Sequence, residues 1–94
     1  MGLFLFTIVF ETNAPELDTV IEQFCAAQPT KIESSEITEL NGGVSCDLWV
    51  NPKYKTSILR KNTEIYIEVM LGQPRDISDL FIAFLEKQGG KRKD

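Results

Sequence analysis

Ninety-four residues with ten Lys+Arg, fourteen Asp+Glu and no histidine give a formal charge of −4 and an isoelectric point near 4.8. That length holds one domain around a single core, and 43% hydrophobic residues make the chain too apolar for disorder. The missing histidine removes Ser-His-Asp and Cys-His catalysis, the zincin motif and most zinc sites.

Residues 1–10 are apolar but do not read as a secretory signal. No Lys or Arg precedes the run, Glu11 ends it, and no small-residue cleavage site follows. It is far short of the roughly 20 residues a membrane helix needs. Cys25 and Cys46 form neither a disulfide framework nor a metal-ligand spacing. The expectation is a reduced, cytoplasmic protein with no membrane partner.

In chain order, residues 3–10 predict a strand. Leu3, Leu5 and Val9 alternate with Phe4, Phe6, Ile8 and Phe10, so both faces are apolar and a central place in a sheet follows. Asn13 is a candidate helix cap, with Glu16 as reciprocal partner and Pro15 in the first turn. Leu17, Val20, Ile21, Phe24 and Cys25 then form one apolar stripe, and Pro29 ends the helix. Residues 30–40 read as an edge strand with a bulge near Ser34-Ser35. Asn41-Gly42-Gly43 is a hairpin turn. Over residues 44–50, Val44, Cys46, Leu48 and Val50 oppose Ser45, Asp47 and Trp49. Residues 63–71 repeat the pattern, with Ile65, Ile67, Val69 and Leu71 one way and Glu64, Tyr66, Glu68 and Met70 the other.

Residues 51–62 decide the topology. Asn51-Pro52 can start a short helix that puts Tyr54, Ile58 and Leu59 on one face, or a tight turn into a strand over 54–60. The helix is the first choice. A final helix over 75–88 shows Ile77, Leu80, Phe81, Phe84 and Leu85 as its stripe, and Gly89 stops it. The expected fold is a two-layer α+β domain over residues 1–90, with a mainly antiparallel four-stranded sheet in the ferredoxin-like order β-α-β-β-(short α)-β plus a C-terminal helix. The alternative makes 54–60 a fifth strand, β-α-β-β-β-β-α. Residues 91–94 are expected to be a frayed basic tail. Trp49, Tyr66 and Met70 point to a second sheet face that needs a cover: the C-terminal helix folded back, a second copy, or a partner. The folded-back helix is the simplest cover.

The stretch Leu3-Phe4-Leu5-Phe6 resembles the first-strand motif of the RNA-recognition motif family, whose stacking aromatics would fall on Phe4, Phe6 and Trp49. The third-strand consensus is absent from residues 43–50, and the acidic charge there repels phosphate, so no nucleic-acid partner is expected. The strand-helix opening with Asn13-Ala14-Pro15-Glu16-Leu17 resembles the ligand loop of the ACT family of small-molecule regulatory domains. Glu16 stands where that family carries glycine.

Residues 1–50 carry eight acids against Lys31 alone, a charge of −7, whereas residues 51–94 carry +3. With no Walker loop, dinucleotide fingerprint or calcium loop, and both thiols on inward stripes, nothing marks an enzyme, a metal site or a cofactor. The function expected is a non-catalytic protein-binding module, in the form of a small acidic inhibitor or immunity-type protein that covers a basic surface of a partner protein. Its candidate partner-binding residues are Glu33, Glu36, Glu39 and Asp47, with Trp49 or Tyr66 as the aromatic anchor. The alternative is a small-molecule-sensing or oligomerising regulatory domain, paired as a homodimer through the second sheet face.

Overall fold

Ladder hydrogen bonds gather the β-forming segments into one antiparallel sheet in a computed structural model that describes residues 3–40, 42–51, 54–70 and 76–93, of which 3, 4, 50, 51, 54, 70 and 76 by backbone alone. The strands are β1 (Leu3–Val9), β2 (Glu33–Ser34), β3 (Thr38–Leu40), β4 (Gly43–Asn51), β5 (Tyr54–Lys61), β6 (Glu64–Met70) and β7 (Lys91–Lys93); the helices are α1 (Leu17–Ala27) and α2 (Asp76–Lys87). The order across the sheet is β2-β4-β5-β6-β1-β7, with β3 also paired to β4. The fold is a small α+β domain, with seven strands and two helices among the described residues. The hairpin asparagine Asn41, Pro52 and Leu71 lie outside the described residues.

The four-stranded, ferredoxin-like arrangement is not the one that forms, because residues 54–61 are a strand. β5 bonds β4 on one side and β6 on the other, from Val44↔Arg60 to Trp49↔Lys55 and from Thr56↔Val69 to Lys61↔Glu64. Two full ladders outweigh an isolated short helix, which is marginal in water. Alternation does the rest. Thr56 and Ile58 are buried and Lys55 is exposed, so Ile58 and Leu59 part to opposite faces.

β1 is second from an edge rather than central, between β6 and the short β7. Its inward residues Ile8 and Phe10 are buried and Phe6 packs against them, but Leu5 on the other face is 62% exposed. β2 and β3 are two pieces of one interrupted edge strand, as the bulge reading anticipates. Ser35 holds the break: its N–H donates to the Asp47 carbonyl at 2.9 Å, and its Oγ accepts the Asp47 N–H at 2.9 Å.

Helix α1 begins later than the Asn13 reading has it. Glu16 is the N-cap, with no side-chain capping bond, and its carbonyl accepts the Val20 N–H at 3.0 Å. The preceding backbone is already engaged elsewhere. The Ala14 N–H donates to the Asn62 carbonyl, and Arg60 donates to the carbonyls of Ala14 (Nη2, 2.7 Å) and Pro15 (Nε, 2.9 Å). The stripe of α1 is as expected, with Leu17, Val20, Ile21 and Phe24 buried and Cys25 half-buried. Gln28, before Pro29, is extended at φ −92°, ψ 140°.

Helix α2 turns four of its five expected stripe residues to the core, with Phe81 and Leu85 buried and Ile77 and Phe84 half-buried, and departs from expectation at Leu80. Ser78, Phe81, Ile82 and Leu85 are buried at i, i+3, i+4 and i+7, whereas Leu80 is 47% exposed. Phe24 of α1 meets Phe81 and Phe84 of α2 edge-on, with ring centroids 5.0 and 5.6 Å apart. Both helices therefore cover the same sheet face, and α2 does not fold back over the second one. The described end of the chain is not a frayed tail. Gly89, at φ +100°, donates to Glu86, and Gly90 donates to Leu85 at 3.0 Å, a Schellman turn that reverses the chain. A Cβ at Gly90 would stand 2.5 Å from Ile8 Cγ2, so only glycine lets the backbone pass this close to β1. Residues 91–93 then pair with β1, from Thr7↔Lys93 to Val9↔Lys91.

Candidate functional site: an uncovered sheet face and its two edges

Register places each outward side chain. Residues directly opposite in an antiparallel pair share a face, so the second face reads in rows across the strands. Glu33 lies beside Trp49 and Lys55; Asp47 beside Ser57, Glu68 and Leu5. Ser45, Leu59, Tyr66, Thr7 and Lys93 form the next row, and Lys61, Glu64, Val9 and Lys91 the last. No described element packs over these rows. A shallow depression of about 460 Å3, lined by Leu5, Leu59 and Tyr66 among others, opens at the centre.

The six candidate residues divide between places. Glu33, Asp47 and Trp49 come together at one corner, Glu33 directly across from Trp49 and Asp47 two residues along the same strand. Exposed Glu36 sits in the strand break, beside the Ser35 that is bonded to Asp47. Glu39 pairs with Val44, which packs on the core, so its side chain is on the opposite, helix-bearing side of the edge. Tyr66 is at mid-face, apart from the acidic corner, and its hydroxyl donates to Glu64 Oε1. That carboxylate raises the Tyr66 phenol above its ordinary value, with a smaller contribution from burial.

Charge is graded across the sheet. The β2–β3 edge carries exposed Glu33, Glu36 and Glu39, and the β7 edge carries exposed Lys91, Arg92 and Lys93. Among the described residues the ion pairs are Lys93–Glu64 at 3.8 Å and Arg60–Glu16 at 3.8 Å, neither of which involves an edge glutamate. The −7 of the first fifty residues is not one acidic face: Glu16, Asp18 and Glu22 belong to the start and body of α1, in the other layer.

Three features were not singled out from sequence. Arg60, an inward cation on β5, clasps the loop before α1; the signal is an arginine at a position where the alternation expects an apolar residue. Arg92 lies 5.5 Å from the Phe6 ring centroid, on the helix-bearing side. Lys91, Arg92 and Lys93 acquire a place only through pairing with β1. Phe6 and Trp49 are on opposite faces, and β5 and β6 separate their strands, so the two do not form a stacking platform. The thiols of Cys25 and Cys46 line one groove between α1 and the edge. Burial raises both above their ordinary value, and Cys46 donates to the Ser35 carbonyl. Among the described residues no three His, Cys, Asp or Glu side chains cluster as metal ligands, and no helix is long and apolar enough to cross a membrane. Comparison with protein-family models, curated proteins and solved structures finds no match.

Proposed function

We propose that this chain is a non-catalytic protein-binding module that docks its acidic corner on a basic surface of a partner protein, in the manner of a small inhibitor or immunity-type protein. The observation that carries the reading is the corner itself. Glu33 and Asp47 flank half-buried Trp49, Glu36 stands beside them, and no ion pair among the described residues neutralises the three carboxylates. Unpaired carboxylates steer a basic partner and set the on-rate, whereas a desolvated Trp supplies affinity. Tyr66 is too far along the sheet to serve as anchor, and Glu39 acts from the edge alone. In the small-molecule-sensing alternative, the ligand loop over residues 13–17 has its Ala14 and Pro15 carbonyls occupied by Arg60, which leaves that reading the weaker one.

The test is capture of host proteins on the immobilised chain, followed by calorimetric titration of the purified partner. A basic protein retained at low salt should bind Trp49→Ala at least about ten-fold more weakly. Glu33→Lys with Glu36→Lys should slow association more than it speeds dissociation. If no basic protein is retained, or if the charge reversal leaves binding unchanged, the reading fails.

A further inference from the structure

We infer that the uncovered sheet face binds a second copy of the same chain, in a closed two-fold pair whose axis runs parallel to the strands between β5 and β6. The inference is independent of the heterologous partner and rests on how this face matches itself. Such an axis, lying between two sheets about 10 Å apart, sets each residue of β5 over its β6 register partner in the other copy. Lys61, which makes no ion pair among the described residues, comes over Glu64 of the second copy, and Leu59 comes over Tyr66. Ser57 comes over Glu68, a hydroxyl donor over a carboxylate acceptor. Each contact occurs twice.

The same rotation exchanges the two sheet edges, so Thr38 of one copy comes over Lys93 of the other, while Glu33 falls four residues further along the strands and Glu39 faces the helix layer. Leu5, 62% exposed, is covered in the pair, over Asp47 of the second copy. Six strand positions at about 4.8 Å spacing span about 24 Å, and that width over about 20 Å of strand length buries on the order of 1,000 Å2 across both copies. That is a small interface in which complementary charge has a large share, and the pair is accordingly salt-sensitive. Because the pair places Leu5 of the second copy over Asp47, self-pairing and partner docking compete for the same corner.

Sedimentation equilibrium of the full chain tests the inference. At ionic strength of about 0.01 M the mass should approach twice 10.6 kDa, and at about 1 M it should fall toward 10.6 kDa. Lys61→Glu should give a monomer at both salts, and Lys61→Glu combined with Glu64→Lys should restore the dimer by reversing each pair. Leu5→Glu, at an exposed position that leaves the core untouched, should also dissociate it by facing Asp47. Circular dichroism reports that each variant is folded. A wild-type monomer at low salt and high concentration overturns the inference, as does a Leu5→Glu protein that remains dimeric. A mass that grows beyond two copies also overturns it, because open edge-to-edge addition of strands would then be the mode of association.

Discussion

Arg60 is the residue on which the layer geometry turns. It enters the helix-bearing side of β5 next to buried Ile58, its side chain is 17% exposed, and its donors satisfy two carbonyls of the loop that leads into α1. A methionine there fills similar space but leaves the Ala14 and Pro15 carbonyls without these donors. Arg60→Met should therefore cost about 2 kcal/mol in urea unfolding, the scale of hydrogen bonds to a charged group. Arg60→Lys should recover little of this, because an ammonium cannot fork across two carbonyls. The cysteines give a pH-dependent counterpart. Burial raises both thiols above their ordinary 9.0, so the folded chain holds their protons more tightly than the unfolded chain does. That contribution is complete below the unfolded value and is lost as pH rises through the raised folded values. Melting temperatures measured across alkaline pH should fall less steeply in the Cys25→Ala, Cys46→Ala double variant than in the native chain.

Among the elements, those with an unambiguous period were legible. The stripe of α1 and the alternation of β4 and β6 come straight from residue spacing, because one face of each is apolar and the other polar. Segment 54–61 was not legible. Its residues fit both periods, and the strand wins only because β4 and β6 supply two ladders. Helix α2 was legible as a helix and in four of its five stripe residues, but Leu80 stands outside and Ile82 inside. Leu80 and Ile82 are equally apolar, and the choice between them depends on where Phe24 of α1 receives Phe81 and Phe84. The phase has a direct test by chemical denaturation. Ile82→Ala, at 1% exposure, should cost about 3 kcal/mol, and Leu80→Ala, at 47%, less than about 0.5 kcal/mol. Equal losses would refute the placement of Ile82 inside and Leu80 outside.

For the whole molecule, the charge asymmetry between chain halves resolves into an asymmetry between sheet edges. The helix acids Asp18 and Glu22 go to the other layer, and residues 91–93, which look like a solvated tail, become the basic border opposite the glutamates. The candidate site was legible to the extent that Glu33, Asp47 and Trp49 do meet. Glu39 and Tyr66 separate from them because strand parity and register, not chain proximity, decide which residues share a face. Composition and periodicity alone determined an α+β chain with an antiparallel sheet, the inward stripe of α1, the broken edge strand and the exclusion of histidine chemistry. These depend on local spacing and residue type, which every copy of the sequence carries whatever its fold. Only the tertiary structure decided that β1 pairs with β6, that both helices share one face, and that no described element covers the second face. Those outcomes depend on contacts between residues far apart in the chain, where several pairings satisfy the same local pattern and total burial selects among them.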